Sequence, residues 1–360
     1  MRIILGLSSL LLLGGCGTFG YYAQAVSGEL AILRARQPIG DLLDDAATSP
    51  ELKARLVRVR DARDWAVTAL ALPDNGSYRS YADVHRPYVV WNVFAAAEFS
   101  VEPLRHCFPV AGCVGYQGWY AEADARAQAE MLKRQGYDVY VGGVPAYSTL
   151  GWFDDPLLST MLRWDDATLV ATLFHELAHQ KLYVKHDTRF NESFAEFVGE
   201  QGLREYQAQH PLPGASDLDA RRTRRHQFTV LVLAARGRLA ALYREPLDAT
   251  AMRARKAAVF AQLRRDYAQL RERAWDGKGW YDGFFDTPLD NARLLPFGLY
   301  DDDLPAFDAL FAENGGDWRR FFDAAARLAA LAPAQRGEEL RRLKAAARDT
   351  GAPSFVATHP

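Results

Sequence analysis

The sequence lacks an excess of charge of either sign, with 43 lysine and arginine residues against 45 aspartate and glutamate residues. This balance argues against nucleic acid or an acidic surface as a partner. The sequence also lacks internal repeats and low-complexity segments, and after its N-terminus no apolar run is long enough to span a membrane. At 360 residues, 49% of them hydrophobic, the chain can build a sizeable core in one large or two intimate domains.

The one marked apolar run stands at the N-terminus, in "MRIILGLSSLLLLGGCG", and is too short to span a bilayer comfortably. A basic residue, Arg2, precedes it, as in a secretory signal peptide. The small-residue pair before Cys16 resembles the lipobox of bacterial lipoproteins. This resemblance implies a signal peptide at residues 1–15 and a lipidated Cys16. Because Gly17 follows instead of aspartate, it also implies the outer membrane, facing the periplasm. A cleaved soluble signal or an anchor helix is the alternative.

Cysteine is scarce, since only Cys107 and Cys113 follow Cys16. The pair lies in "HCFPVAGCVGY", where proline and glycine bend the chain between the two thiols. In an oxidising periplasm a short-loop disulfide is the expected outcome. A zinc-binding pair of thiolates is the rival interpretation, but the partner ligands are missing nearby.

Apolar periodicity predicts a β-containing first half followed by helices. Residues 88–100 are rich in β-branched and aromatic residues, and residues 137–144 alternate in polarity, so both are predicted strands. Asp165 begins a long predicted helix, and Asn191 is the expected N-cap of the next one. The other predicted helices cover residues 21–70 with a break at Pro38, residues 120–136 with a stop at Gly136, and almost all of the chain beyond Pro213.

A basic run, "RRTRRH" at 221–226, suggests nucleic-acid binding at first sight. Asp217 and Asp219 balance its charge, and no aromatic residues are interleaved with it. A solvated helix face is therefore the better interpretation.

The stretch "FHELAHQ", at 174–180, carries the clearest chemical motif. His175 and His179 are four residues apart, so in a helix both imidazoles can bind one ion. Glu176 lies about 100° around the helix. Its carboxylate can therefore reach a water molecule at the ion and act as the general base of a zinc peptidase. The alternative is a histidine pair on a buried core helix.

The third ligand determines the class of site. Leu182 and Lys185 occupy the glycine and last histidine positions of the pattern HExxHxxGxxH, so that class is excluded. Further on, "FNESFAEFVGE" carries Glu192 and Glu196 on one helix face. If this second helix folds back antiparallel, one carboxylate can complete a His-His-Glu set, which is typical of catalytic zinc.

HELAH followed by Asn-Glu-Ser-Phe-Ala-Glu resembles the gluzincin metallopeptidases. In that group the first glutamate of the second motif is the third zinc ligand, so the resemblance implies Glu192 in this role. It also implies that Glu196 steadies one imidazole tautomer without touching the metal. The twelve-residue spacer between His179 and Glu192 is shorter than in the common aminopeptidases of that group.

Most of the mature chain is similar to a bacterial family of putative aminopeptidases, which are lipoprotein-like proteins. The shared stretches are "CFPVAGCVGYQGW", "HELAHQ" with "NESFA", "YYAQAVSGELAILRARQPI", "VPAYSTLGWF" and "NARLLPFGLY". The resemblance implies one Zn²⁺ ion, a peptide substrate and aminopeptidase activity in the cell envelope.

These observations together predict an α+β fold with a zincin-like (gluzincin) core. A small β-sheet is expected before the HExxH helix, followed by a largely helical C-terminal half. The predicted divisions after the signal peptide are an N-terminal helical segment at 16–85, a catalytic core at 86–212 and a helical C-terminal region at 213–360 packed on the core.

Two features leave the activity open. Tyr300 is a candidate donor to the tetrahedral oxyanion, in competition with Tyr183, Tyr206 and simple packing roles. "VPAYSTLGWF" stands where gluzincins pair a strand with the substrate, but it lacks the glutamate that holds a free amino end. A zinc endopeptidase or amidase acting on cell-wall peptides, and a non-catalytic zinc-stabilised envelope lipoprotein, therefore remain alternatives.

Overall fold

The computed structural model describes residues 15–108, 112–146, 148–149, 151–212, 218–297 and 303–349. Within them the fold is mixed α+β and mostly helical. The helices are α1 (Gly15–Arg34), α2 (Ile39–Asp44), α3 (Pro50–Ala69), α4 (Glu122–Arg134), α5 (Asp166–Lys181), α6 (Thr188–Gln209), α7 (Leu218–Leu242), α8 (Ala249–Ala274), α9 (Leu304–Glu313), α10 (Trp318–Ala329) and α11 (Pro333–Asp349). The strands are β1 (Gln37–Pro38), β2 (Ser80–Ala82), β3 (Val90–Ala97), β4 (His106–Phe108), β5 (Gly112–Val114), β6 (Tyr116–Trp119), β7 (Tyr137–Val144) and β8 (Leu157–Leu158).

An antiparallel sheet in the order β6–β3–β7 lies in the first half of the chain. β3 and β7 pair over eight residues, from Val90 opposite Val144 to Ala97 opposite Tyr137. Side chains on one face of β3 join a core with α4, and those on the other face pack against residues 292–295. Successive side chains of β3 thus point to opposite faces of the sheet, and both faces are buried. Both predicted strands are thus confirmed.

Two smaller β elements accompany this sheet. β2 pairs with β1 antiparallel and with β8 parallel. β4 and β5 form a hairpin, and Cys107 and Cys113 form a disulfide across it, as predicted.

Aromatic residues of α6 pack into the main core. Phe194 and Phe197 of α6 pack against Phe307 of α9 and Phe321 of α10, and all four side chains are at most 2% exposed. Burying each such ring contributes roughly 1.5–3 kcal/mol to stability. The opposite face of α6, which carries Glu192, is thereby held against α5.

The C-terminal half is helical, as predicted. α7 and α8 pack on each other around Phe228, Leu239 and Leu263, which are almost fully buried. None of the described helices combines the length and the apolar character that crossing a membrane requires. The α+β class is confirmed, whereas the zincin-like core and the domain divisions remain predictions.

Candidate metal centre

The HExxH motif lies in the last turns of α5. The helix begins because the Asp165 side chain caps it, accepting a hydrogen bond of 3.0 Å from the Thr168 amide. His175 and His179 then share one face, with their Nε2 atoms 3.1 Å apart and their ring planes nearly perpendicular. His179 is buried, with 6% of its surface exposed. Both imidazoles thus lie on the same side of α5 with their Nε2 atoms close together.

The helix that returns alongside α5 starts earlier than predicted. Asp187 is its N-cap, because its carboxylate accepts a hydrogen bond of 3.1 Å from the Phe190 amide. The prediction of Asn191 as N-cap is therefore wrong. The buried Asn191 side chain instead binds both the N–H and the C=O of Val184, at 2.8 Å each. This clamp orders the turn that folds α6 back antiparallel onto α5.

A glycine lets α6 approach α5 closely beside the motif. A Cβ at Gly199 would lie 2.7 Å from the Ala171 carbonyl oxygen and 3.3 Å from the His175 Cβ. Any larger residue at this position would push α5 and α6 apart next to His175. The separation of the candidate ligands thus depends on Gly199.

The third candidate ligand comes from α6. The Glu192 carboxylate lies 3.5 Å from His175 Nε2 and 3.7 Å from His179 Nε2. Among the described residues, these three side chains are the one group of potential ligands whose donor atoms lie within 4.8 Å of one another. Zinc bonds of ~2.0–2.2 Å would set tetrahedral ligands about 3.3–3.6 Å apart. The two imidazoles and the carboxylate therefore fit a zinc ion in both chemistry and spacing.

The second glutamate of α6 lies behind the first histidine. Glu196 Oε2 is 3.6 Å from His175 Nδ1, the nitrogen that faces away from Glu192. Arg225 of α7 pairs with Glu196 and also contacts Glu200 at 3.3 Å. Burial would raise the pKa of Glu196, but Arg225 and His175 hold that pKa well below its usual range. Glu196 is thus placed to orient His175, and no local pattern in the sequence indicated Arg225 as its partner.

The carboxylates around the two imidazoles favour a positive charge between the rings. Burial opposes the charged form of His175, yet the Glu192 and Glu196 carboxylates raise its pKa to about 10. Burial and the neighbouring charge of His175 lower the pKa of His179 to about 4. The carboxylates therefore stabilise one positive charge between the rings, which a metal ion could supply in place of a proton.

Glu176 lies beside this centre and is partly buried. Burial raises its pKa to about 7, and the Glu192 and Asp155 carboxylates add to the shift while His175 opposes it. A carboxyl group with such a pKa can both accept and release a proton near neutral pH. Asp155 also accepts hydrogen bonds from Ser148 and Thr149, two residues of "VPAYSTLGWF".

A cavity of about 670 Å³ opens beside the motif, and His175, Glu176 and Glu196 form part of its lining. Arginines of the basic run at 221–226 line it as well, and residues 221–225 are only partly exposed. This run is therefore less exposed than the solvated helix face that was predicted for it. The balance of charge along the sequence does not reveal that these arginines of α7 face α5 and α6.

The candidate tyrosines have different positions. Tyr300 lies outside the described residues. Tyr206 is buried in the core, with its ring stacked on His210 at 4.4 Å. The Tyr183 ring lies 6.2 Å from the His179 ring and is 45% exposed. Of the two described candidates, Tyr183 is therefore the one beside the candidate ligands.

The fold and the site together define a mixed α+β protein with a candidate metal centre on an antiparallel helix pair. A family model described as "Putative aminopeptidase" matches residues 20–340, and the chain belongs to this family. No curated protein and no solved structure shows a significant match to the chain. The family description points to a peptidase, whose substrates would be peptides.

Proposed function

We propose that this chain is a zinc-dependent aminopeptidase of the bacterial cell envelope, tethered by a lipid on Cys16 to the outer membrane and facing the periplasm. The observation that carries the proposal is the convergence of His175, His179 and Glu192, whose donor atoms lie within 4.8 Å of one another. The family match adds the peptidase class.

In this proposal each residue has a distinct task. A zinc ion held by His175, His179 and Glu192 would supply Lewis acidity, which polarises the scissile carbonyl and acidifies the attacking water. Glu176 takes the proton of that water and passes it to the leaving amine. Glu196, whose Oε2 lies 3.6 Å from His175 Nδ1, favours the tautomer with hydrogen on Nδ1 and so leaves Nε2 as the ligand atom.

The proposal predicts about one zinc ion per chain, as in catalytic sites with three protein ligands. Chelation should abolish hydrolysis of aminoacyl reporter substrates, and added zinc should restore it. Metal analysis of the purified full chain and a reporter assay before and after chelation measure this. A peptide set with free and acetylated N-termini completes the test, because an aminopeptidase cleaves only the free ones. If protein that has been supplied with zinc contains no bound transition metal, the proposed centre is ruled out.

The lipid anchor gives a separate expectation. Replacing Cys16 by serine removes the thiol that the lipid would modify, so Cys16→Ser should move the protein from the membrane fraction to the soluble fraction. Cell fractionation with immunoblotting, and mass spectrometry of the N-terminal peptide, are the measurements. Cys107→Ser/Cys113→Ser is the control, because it removes the two disulfide-bonded cysteines and should stay with the membrane. Unchanged membrane association of Cys16→Ser would refute lipidation at this residue.

A further inference from the structure

The cavity beside the candidate metal centre is rich in arginine. Its lining includes Arg204 on α6 and four arginines near the start of α7, at 221, 222, 224 and 225. Against these five arginines stand four acidic residues, Asp165, Glu176, Glu196 and Glu200. The wall thus carries a net positive charge, even without a metal ion. A volume of about 670 Å³ lies within the ~300–1,000 Å³ range of small-molecule sites, so a short peptide fragment fits.

Two of these arginines connect the helices to one another. Arg222 contacts Glu200 at 3.1 Å and Asp308 at 3.6 Å. Arg225 contacts both Glu196 and Glu200. A guanidinium has five N–H donors, so an arginine that already pairs with one carboxylate can bind a second one, as Arg225 does here.

Arg221 and Arg224 are three residues apart on α7 and share a helix face. Arg221 pairs with Asp165 at 2.6 Å, and its side chain is 39% exposed. The Arg224 guanidinium lies over the Trp280 ring, 4.4 Å from its centroid, and Trp280 is 52% exposed. The indole thus restricts the orientation of Arg224 at a wall that an incoming molecule can reach.

The position of Glu176 indicates which part of a substrate would enter. This step rests on the proposed function, in which Glu176 delivers a proton to the leaving amine. The leaving fragment therefore begins at Glu176, which lines the cavity together with His175. Thr168, Ala171 and Thr172 also line it, and their small side chains leave room along α5.

We propose that this cavity receives the leaving fragment of a short peptide and that Arg221 and Arg224 bind a carboxylate on that fragment. The planar guanidinium group of arginine binds a carboxylate with two parallel hydrogen bonds. The two arginines would therefore select for a fragment that carries an anionic group. The carboxylate can be the C-terminal one or that of an acidic side chain.

Binding to the metal-free full chain tests the carboxylate site without requiring hydrolysis. The probes are tri-alanine, tri-alanine amide and Ala-Asp-Ala amide, with Kd measured by calorimetry. Tri-alanine should bind about tenfold or more tightly than its amide, because hydrogen bonds to a charged group are worth more than neutral ones. If Ala-Asp-Ala amide binds as tightly as tri-alanine, an acidic side chain also serves as the source of the carboxylate. If it binds like tri-alanine amide, the source is the C-terminus.

The double variant Arg221→Gln/Arg224→Gln should bring the ratio of the two Kd values for tri-alanine and its amide to about one, since both charged donors are removed. Arg224→Lys keeps the charge but loses the planar fork, so it should retain part of the ratio. Arg253→Gln is the matched control, because Arg253 on α8 also pairs with a carboxylate, that of Glu98, and does not line the cavity. It should leave the ratio unchanged.

Equal Kd values for tri-alanine and its amide in the parent chain would overturn the inference, and so would a double variant that keeps the parental ratio. The zinc-loaded chain provides the second measurement, kcat/KM for tri-alanine and its amide. If it hydrolyses neither peptide while the Kd ratio persists, the proposed function fails and the carboxylate site stands. If it hydrolyses both at equal kcat/KM and the Kd values are also equal, the carboxylate site fails and the peptidase stands.

Discussion

Glu176→Gln will lower kcat for peptide hydrolysis by about 10²–10⁴-fold, the usual contribution of a positioned general base. Glutamine has nearly the shape of glutamate but cannot take a proton from water. Because Glu176 is not one of the three converging donors, the variant should bind zinc as the parent does. Steady-state kinetics on a cleaved aminoacyl substrate, together with zinc content, measure both effects.

Glu130→Gln is the matched control for this variant. Glu130 is an exposed glutamate of α4 that pairs with Lys133, so its loss should leave both kcat and zinc content unchanged. A Glu176→Gln protein with parental kcat would show that another group takes the proton. A variant that has lost its zinc would instead place Glu176 among the ligands.

Glu192→Ala will weaken zinc binding by more than the roughly 10–100-fold that loss of an outer-shell partner costs, because it removes one of the three proposed ligands. Glu196→Gln should fall within that range, since Glu196 lies 3.6 Å from His175 Nδ1 and in the proposal acts through it. The two glutamates are one helical turn apart on α6, so the pair of variants separates a ligand from its supporting neighbour. Competition with a chromogenic chelator gives both affinities.

Circular dichroism should show that both variants keep their helices, because the aromatic face of α6 is untouched. Equal zinc affinities in Glu192→Ala and the parent would remove Glu192 from the centre. A larger loss in Glu196→Gln than in Glu192→Ala would exchange the two roles.

Local patterns in the sequence determined most elements of the fold. Alternation and β-branched residues located β3 and β7, and Asp165 with its apolar period located α5. These signals work because a strand or a helix is specified by neighbours a few residues away. Asn191 shows the limit, since its side chain binds the Val184 backbone in a turn that no periodicity describes.

The candidate site likewise has one part that local spacing predicts and another that depends on the tertiary structure. The spacing of His175 and His179 was enough to predict a shared helix face, because four residues make about one turn. That Glu192 reaches both imidazoles depends on an antiparallel helix pair and on the close approach at Gly199. Here the sequence could offer only a resemblance.

By itself, the sequence determined the chemistry that this protein can carry: two imidazoles, a base and nearby carboxylates at helical spacing. Only the tertiary structure decided what surrounds them. It turned Arg221, Arg224 and Arg225 from an apparently solvated helix face toward a cavity beside His175. The reason is physical, since contacts within a helix follow from spacing along the chain, whereas contacts between α5, α6 and α7 depend on how distant apolar faces pack.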